Sequence, residues 1–104
     1  LIMLSKEYFT FWINKHVCDE RFIDMAHFLG MKDASKPEDF ITALLDLQKA
    51  CGVDDLKMSD YGIKKEEAMT LAKNARATMM RLFVRDPQET TDEEIAGIYE
   101  RAYR

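Results

Sequence analysis

Glycine, proline, cysteine and histidine are scarce in these 104 residues, with four, two, two and two copies respectively. The glycines stand alone, and Gly30, Gly52 and Gly62 fall at expected helix boundaries, so no glycine-rich loop is present to cradle a phosphate. Cys18 and Cys51 lie in helical patterns without a CxxC or other metal spacing, which predicts reduced, partly buried thiols in an intracellular protein. His16 and His27 belong to different predicted helices and lack the i, i+4 spacing that lets two imidazoles share one metal. No apolar run approaches the roughly 20 residues of a membrane helix, and the start lacks a basic segment followed by an apolar stretch and a cleavage site. A cytoplasmic chain with no membrane contact is therefore expected. Clustered cations are also missing: the net charge is -4, and the one basic pair, Lys64-Lys65, is followed at once by Glu66-Glu67. Binding to a polyanion relies on clustered Lys and Arg, so no nucleic-acid partner is expected.

What the sequence does have is apolar material at helical spacing. Hydrophobic residues make up 47% and charged residues 33%, enough for one core, so residues 1–104 are expected to form a single all-helical domain. Leu4, Tyr8, Phe11 and Trp12, broadened by Phe9 and Ile13, predict a first helix covered on two faces. A second is expected from about Cys18 to Leu29, with Phe22, Ala26 and Leu29 on one face and Gly30 as its stop. Ser35-Lys36-Pro37-Glu38 has the form of a capping box, Ser35 accepting and Glu38 reaching back, and it opens a helix bearing Phe40, Leu44, Leu47 and Cys51. Leu56, Met58 and Tyr61 are expected to pin the following connector to the core. The longest pattern runs from about Lys64 to Phe83, with Ala68, Leu71, Ala72, Ala75, Met79, Leu82 and Phe83 in register. Asp86-Pro87 breaks it, and a capping box at Thr91 through Glu94 starts a last helix with Ile95, Ile98, Tyr99 and Ala102 inward. No segment alternates with period two, so the expected fold is all-α, about five helices without a sheet.

The residues that carry chemistry elsewhere have bland explanations here. Ser5, Ser35 and Ser59 lack a G-x-S-x-G turn, and Asp54-Asp55 and Glu66-Glu67 are sequence neighbours that point apart on a helix and suit solvent. Met69, Met79 and Met80 spread around one helix, as core filler would. No residue is assigned a catalytic, cofactor-binding or metal-binding role.

Taken together, Met58-Ser59-Asp60-Tyr61-Gly62-Ile63-Lys64-Lys65-Glu66-Glu67, Leu71-Ala72-Lys73-Asn74-Ala75, Asp86-Pro87 and Thr91-x-Glu93-Glu94-Ile95 resemble, in order and spacing, the carboxyl end of the iron-dependent (group III) alcohol dehydrogenases. The resemblance extends back through Ala26, Leu29-Gly30, the helix beginning near Pro37, and Leu47 to Gly52-Val53. It departs at Gly52-Val53-Asp54, where the family has Gly-Ile-Pro, and at Asp86-Pro87-Gln88, where it has Asn-Pro-Arg.

The resemblance implies a two-domain, NAD(P)-linked enzyme of the dehydroquinate synthase-like architecture, in which an amino-terminal α/β domain binds the nicotinamide cofactor and a helical carboxyl domain carries Fe²⁺. This chain corresponds to the distal helices of the second domain. The family's metal is held by one Asp and three His, all upstream of the matched region, and neither His16 nor His27 corresponds to them. The abrupt apolar opening Leu1-Ile2-Met3-Leu4 is accordingly expected to be a cut edge, with the upstream part of the same polypeptide as partner and self-association of the isolated piece through Leu1 to Phe11. The resemblance also places the end of the long helix at the cleft for a small alcohol or aldehyde, making Leu82 and Phe83 candidate pocket-wall residues; their periodicity equally fits core packing. In isolation the chain is expected to be inactive. The alternative reading is a free-standing helical protein-interaction module that uses its aromatic first helix.

Overall fold

Apolar residues at helical spacing become five α-helices and no strand in a computed structural model that describes all of residues 1–104. They are α1 (Ile2–Lys15), α2 (Asp19–Phe28), α3 (Glu38–Ala50), α4 (Ala68–Phe83) and α5 (Asp92–Ala102). Short 3₁₀ turns at Met58–Tyr61 and Lys65–Glu67 fill the connector before α4. The chain divides into two compact units, Leu1–Leu56 and Lys57–Arg104.

In the first unit α3 packs against both α1 and α2. Trp12, Ile13, Phe22, Ala26, Ala34 and Phe40 are its buried centre. The aromatic rings meet edge-on: Phe9 lies 5.1 Å from Phe40 at 86° and 6.1 Å from Phe22 at 78°. Such pairs add to the area they bury because a ring's positive edge faces a neighbour's negative face. The indole Nε1 of Trp12 is buried in this cluster without a hydrogen-bond partner.

The outer parts of the expected stripes do not go inside. Leu29 at the end of α2, and Leu47 and Cys51 at the end of α3, are exposed, as is Phe28, whereas Ala26 and Ala43 earlier on the same helices are buried. Cys18 is half-buried; both thiols are free. Helix α3 also begins differently from the capping-box expectation. Its first residue is Glu38, and it is the Asp39 carboxylate that reaches back, accepting from the backbone N–H of Ser35 at 2.9 Å and of Lys36 at 3.1 Å. Those two donors hold Asp39 below its ordinary value of 3.8. A depressed folded value means that its contribution is present above the unfolded value and is lost as pH falls through the folded one. Wild type should therefore lose stability on acidification more steeply than Asp39→Asn in that window, as read from urea midpoints at successive pH values. Gly52 closes α3 at φ 71°, which lets Val53 N–H reach back to the Gln48 carbonyl at 3.0 Å.

The second unit is built on α4 and α5. Ala68 and Ala72 of α4 meet Ile95 and Ala96 of α5, with Met69, Phe83 and Tyr99 packed around them. Small side chains let the two helix backbones approach closely. The capping box on α5 forms as expected, Thr91 Oγ1 accepting from Glu94 N–H and the Glu94 carboxylate from Thr91 N–H, each at 3.1 Å. Thr91→Ala is expected to destabilise this unit by about 0.5–2 kcal/mol, read from thermal or urea unfolding. Of the three residues expected to pin the connector, Met58 is buried and Leu56 half-buried, but Tyr61 is exposed. Ser59 N–H donates to the Arg104 carbonyl, which ties the connector to the second residue after α5.

The long helix is interrupted. Lys65–Glu67 forms a 3₁₀ turn before α4, and Met79 departs from helical geometry at φ −124°, ψ 27°. Next to it the Thr78 hydroxyl donates to the Asn74 carbonyl at 2.7 Å, a back-bond that competes with the helix ladder and bends helices. Beyond the bend the expected stripe fails: Met79, Met80 and Leu82 are exposed, so the two methionines are not core filler.

Candidate functional site

The end of α4 and its turn into α5 hold the two residues that the sequence nominates as pocket wall. Phe83 is half-buried and packs on the α4–α5 cluster, whereas Leu82 is 60% exposed. Consecutive helix residues point about 100° apart, so the two neighbours meet different surroundings.

Arg76, two turns earlier, organises this corner. Its guanidinium carbon lies 5.0 Å from the Phe83 ring centroid, a cation over the negative face of the ring. Its Nε donates to Asp92 Oδ1 at 2.6 Å and its Nη2 donates to the carbonyl of Thr90, a buried residue. One planar side chain thereby joins the middle of α4, its last turn and the start of α5. Two charge-assisted bonds from one rigid fork fix direction as well as distance, which a lysine ammonium does not do. Sequence reading passed over Arg76, Thr90 and Asp92; the available signal was a cation standing seven residues before Phe83, on the same side of a helix otherwise lined with alanine.

The remaining candidates stay apart. His16 Nδ1 lies 3.0 Å from Asp19 Oδ2 on the exposed side of the α1–α2 turn, while His27 Nε2 donates to the Ala34 carbonyl at 2.8 Å. No group of three or more His, Cys, Asp or Glu side chains is placed to hold a metal ion. The Ser5 hydroxyl donates to the Ile2 carbonyl and accepts from Gln48, so it is engaged in tying α1 to α3. Asp54-Asp55, Glu66-Glu67 and Lys64-Lys65 are exposed. A shallow, half-open concavity in the second unit is bordered by Met58, Ile63, Leu71 and Tyr99; neither Leu82 nor Phe83 lines it. No helix is long and apolar enough to cross a membrane.

No curated protein and no solved structure matches the chain. A family comparison does: residues 8–103 match the profile described as Fe-containing alcohol dehydrogenase family, C-terminal. The match covers nearly the whole chain, from within α1 through α2, α3, α4 and α5, and it includes every segment that carries the resemblance. The chain belongs to the Fe-containing alcohol dehydrogenase family, as part of its helical C-terminal region.

Proposed function

We propose that the chain is the distal helical part of an iron-dependent, NAD(P)-linked alcohol dehydrogenase that interconverts small alcohols and aldehydes by hydride transfer. The family match over residues 8–103 is the observation that carries this reading. The reading assigns the metal ligands and the nicotinamide site to the rest of the polypeptide, in keeping with the absence here of any group of three His, Cys, Asp or Glu side chains placed to hold a metal ion. The role left to this chain is that of a scaffold which presents the end of α4, with Phe83 held and Leu82 exposed, as a wall of the alcohol pocket. The enzyme so assembled is placed in the cytoplasm.

On this reading residues 1–104 alone have no turnover, and they self-associate through the stretch Leu1 to Phe11, of which Leu1, just before α1, and Ile2, its first residue, are exposed. The experiment compares NADH and NADPH oxidation with short aldehydes by the isolated chain and by the complete polypeptide. Turnover by the complete polypeptide alone supports the reading, and turnover by the isolated chain contradicts it.

A further inference from the structure

Helix geometry does not by itself set the direction of the last turn of α4. Arg76 and Phe83 flank the bend at Met79, where the backbone leaves helical angles and the Thr78 hydroxyl has turned onto the Asn74 carbonyl. A turn beyond such a break takes its orientation from side-chain contacts. Phe83 packs on the apolar α4–α5 cluster, and over its ring lies the Arg76 guanidinium, itself anchored to the Asp92 carboxylate and the Thr90 carbonyl. Both anchors flank Thr91, whose capping box with Glu94 fixes the start of α5. The ring is thus referenced to α5 across the bend. The Arg76 and Asp92 side chains are 23% and 31% exposed, so the pair is sheltered enough to be directional.

We propose that Arg76 is a positioning residue that sets the Phe83 ring and, through it, the size of the alcohol or aldehyde accepted. This rests on the reading of Phe83 as pocket wall given above. A wall discriminates between chain lengths only when it is held in place, since a displacement of about 1 Å can cost about a hundredfold in rate. Arg76 touches neither substrate nor cofactor in this scheme; its whole effect passes through the ring.

The test uses the complete polypeptide and the ratio of kcat/KM for 1-hexanol to that for ethanol. Phe83→Ala is expected to shift the ratio by about tenfold, the usual scale for apolar pocket changes. Arg76→Gln is expected to shift it in the same direction by about fivefold, and the double variant to match Phe83→Ala alone, because a ring that is absent cannot be positioned. Asp92→Asn keeps an amide oxygen that still accepts from Arg76 but loses the charge, so the ratio is expected to shift in the same direction by less than in Arg76→Gln, and an opposite shift overturns the role of the anchor. A shifted ratio in Phe83→Ala with an unchanged or oppositely shifted one in Arg76→Gln overturns the role of Arg76 and leaves the pocket wall standing. An unchanged ratio in Phe83→Ala overturns both. Should Arg76→Gln fail to fold, Arg76→Lys decides, since an ammonium can sit over the ring but cannot make the two-pronged anchor. A shifted ratio there supports the proposal, and the wild-type ratio overturns it.

Discussion

Phe40→Ala is expected to destabilise the unit of residues 1–56 by about 3–5 kcal/mol, the usual cost of emptying a buried aromatic site. Phe40 is 5% exposed and sits where α3 meets the other two helices of this unit, its ring 5.1 Å from Phe9 and 5.6 Å from Phe22. Truncation removes both ring contacts and leaves a void that two neighbouring aromatics, on different helices, cannot close together. Phe40→Leu keeps most of the volume and should cost less than Phe40→Ala by a clear margin. Urea unfolding of the two variants checks the order, and equal losses would show that the ring contacts matter little.

In residues 57–104 the largest effect is expected from enlarging a small residue. Ala72 is fully buried, and the α4–α5 contact is made by Ala68, Ala72, Ile95 and Ala96. No room remains for three further carbons between backbones that approach over alanines, so Ala72→Leu must push the helices apart or force a strained rotamer. A loss of about 1–3 kcal/mol is expected. Ala77→Leu, on the exposed side of the same helix, should change stability by no more than about 0.5 kcal/mol. The pair of variants isolates packing from helix propensity, because both replace alanine with leucine in α4.

Five helices and three of their ends were legible in the sequence because periodicity and stop signals agree at Gly30, Gly52 and the Thr91–Glu94 box, whereas the start of α4 lies at Ala68, after a 3₁₀ turn where the pattern suggested helix from about Lys64. The family was legible too, since its marks are ordered segments rather than single residues. Three things were not. That the apolar residues gather in two buried clusters depends on which helices meet, and periodicity within a helix does not carry that. The cap on α3 came from Asp39 rather than Ser35 and Glu38, because Pro37 takes helical angles and moves the reach-back position by one residue. The exposure of Met79, Met80 and Leu82 follows from a bend that a threonine hydroxyl makes, and a pattern which assumes 3.6 residues per turn throughout runs straight through it.

The corner at Arg76 shows the same limit from the other side. Phe83 is legible in the sequence as an apolar residue before Asp86-Pro87, but the cation over its ring comes from two turns earlier and is anchored from beyond the turn. Chain-distant polar partners leave no periodic trace.

The most direct test of the account is NAD(P)H oxidation with short aldehydes by the complete polypeptide, stripped of metal with a chelator and then reloaded with Fe²⁺. The account predicts turnover that disappears on stripping and returns with Fe²⁺, because on the proposed reading a bound cation would polarise the carbonyl oxygen. Absence of metal-dependent turnover with every aldehyde tried would contradict it, and would favour a helical interaction module that keeps the family's fold without its reaction.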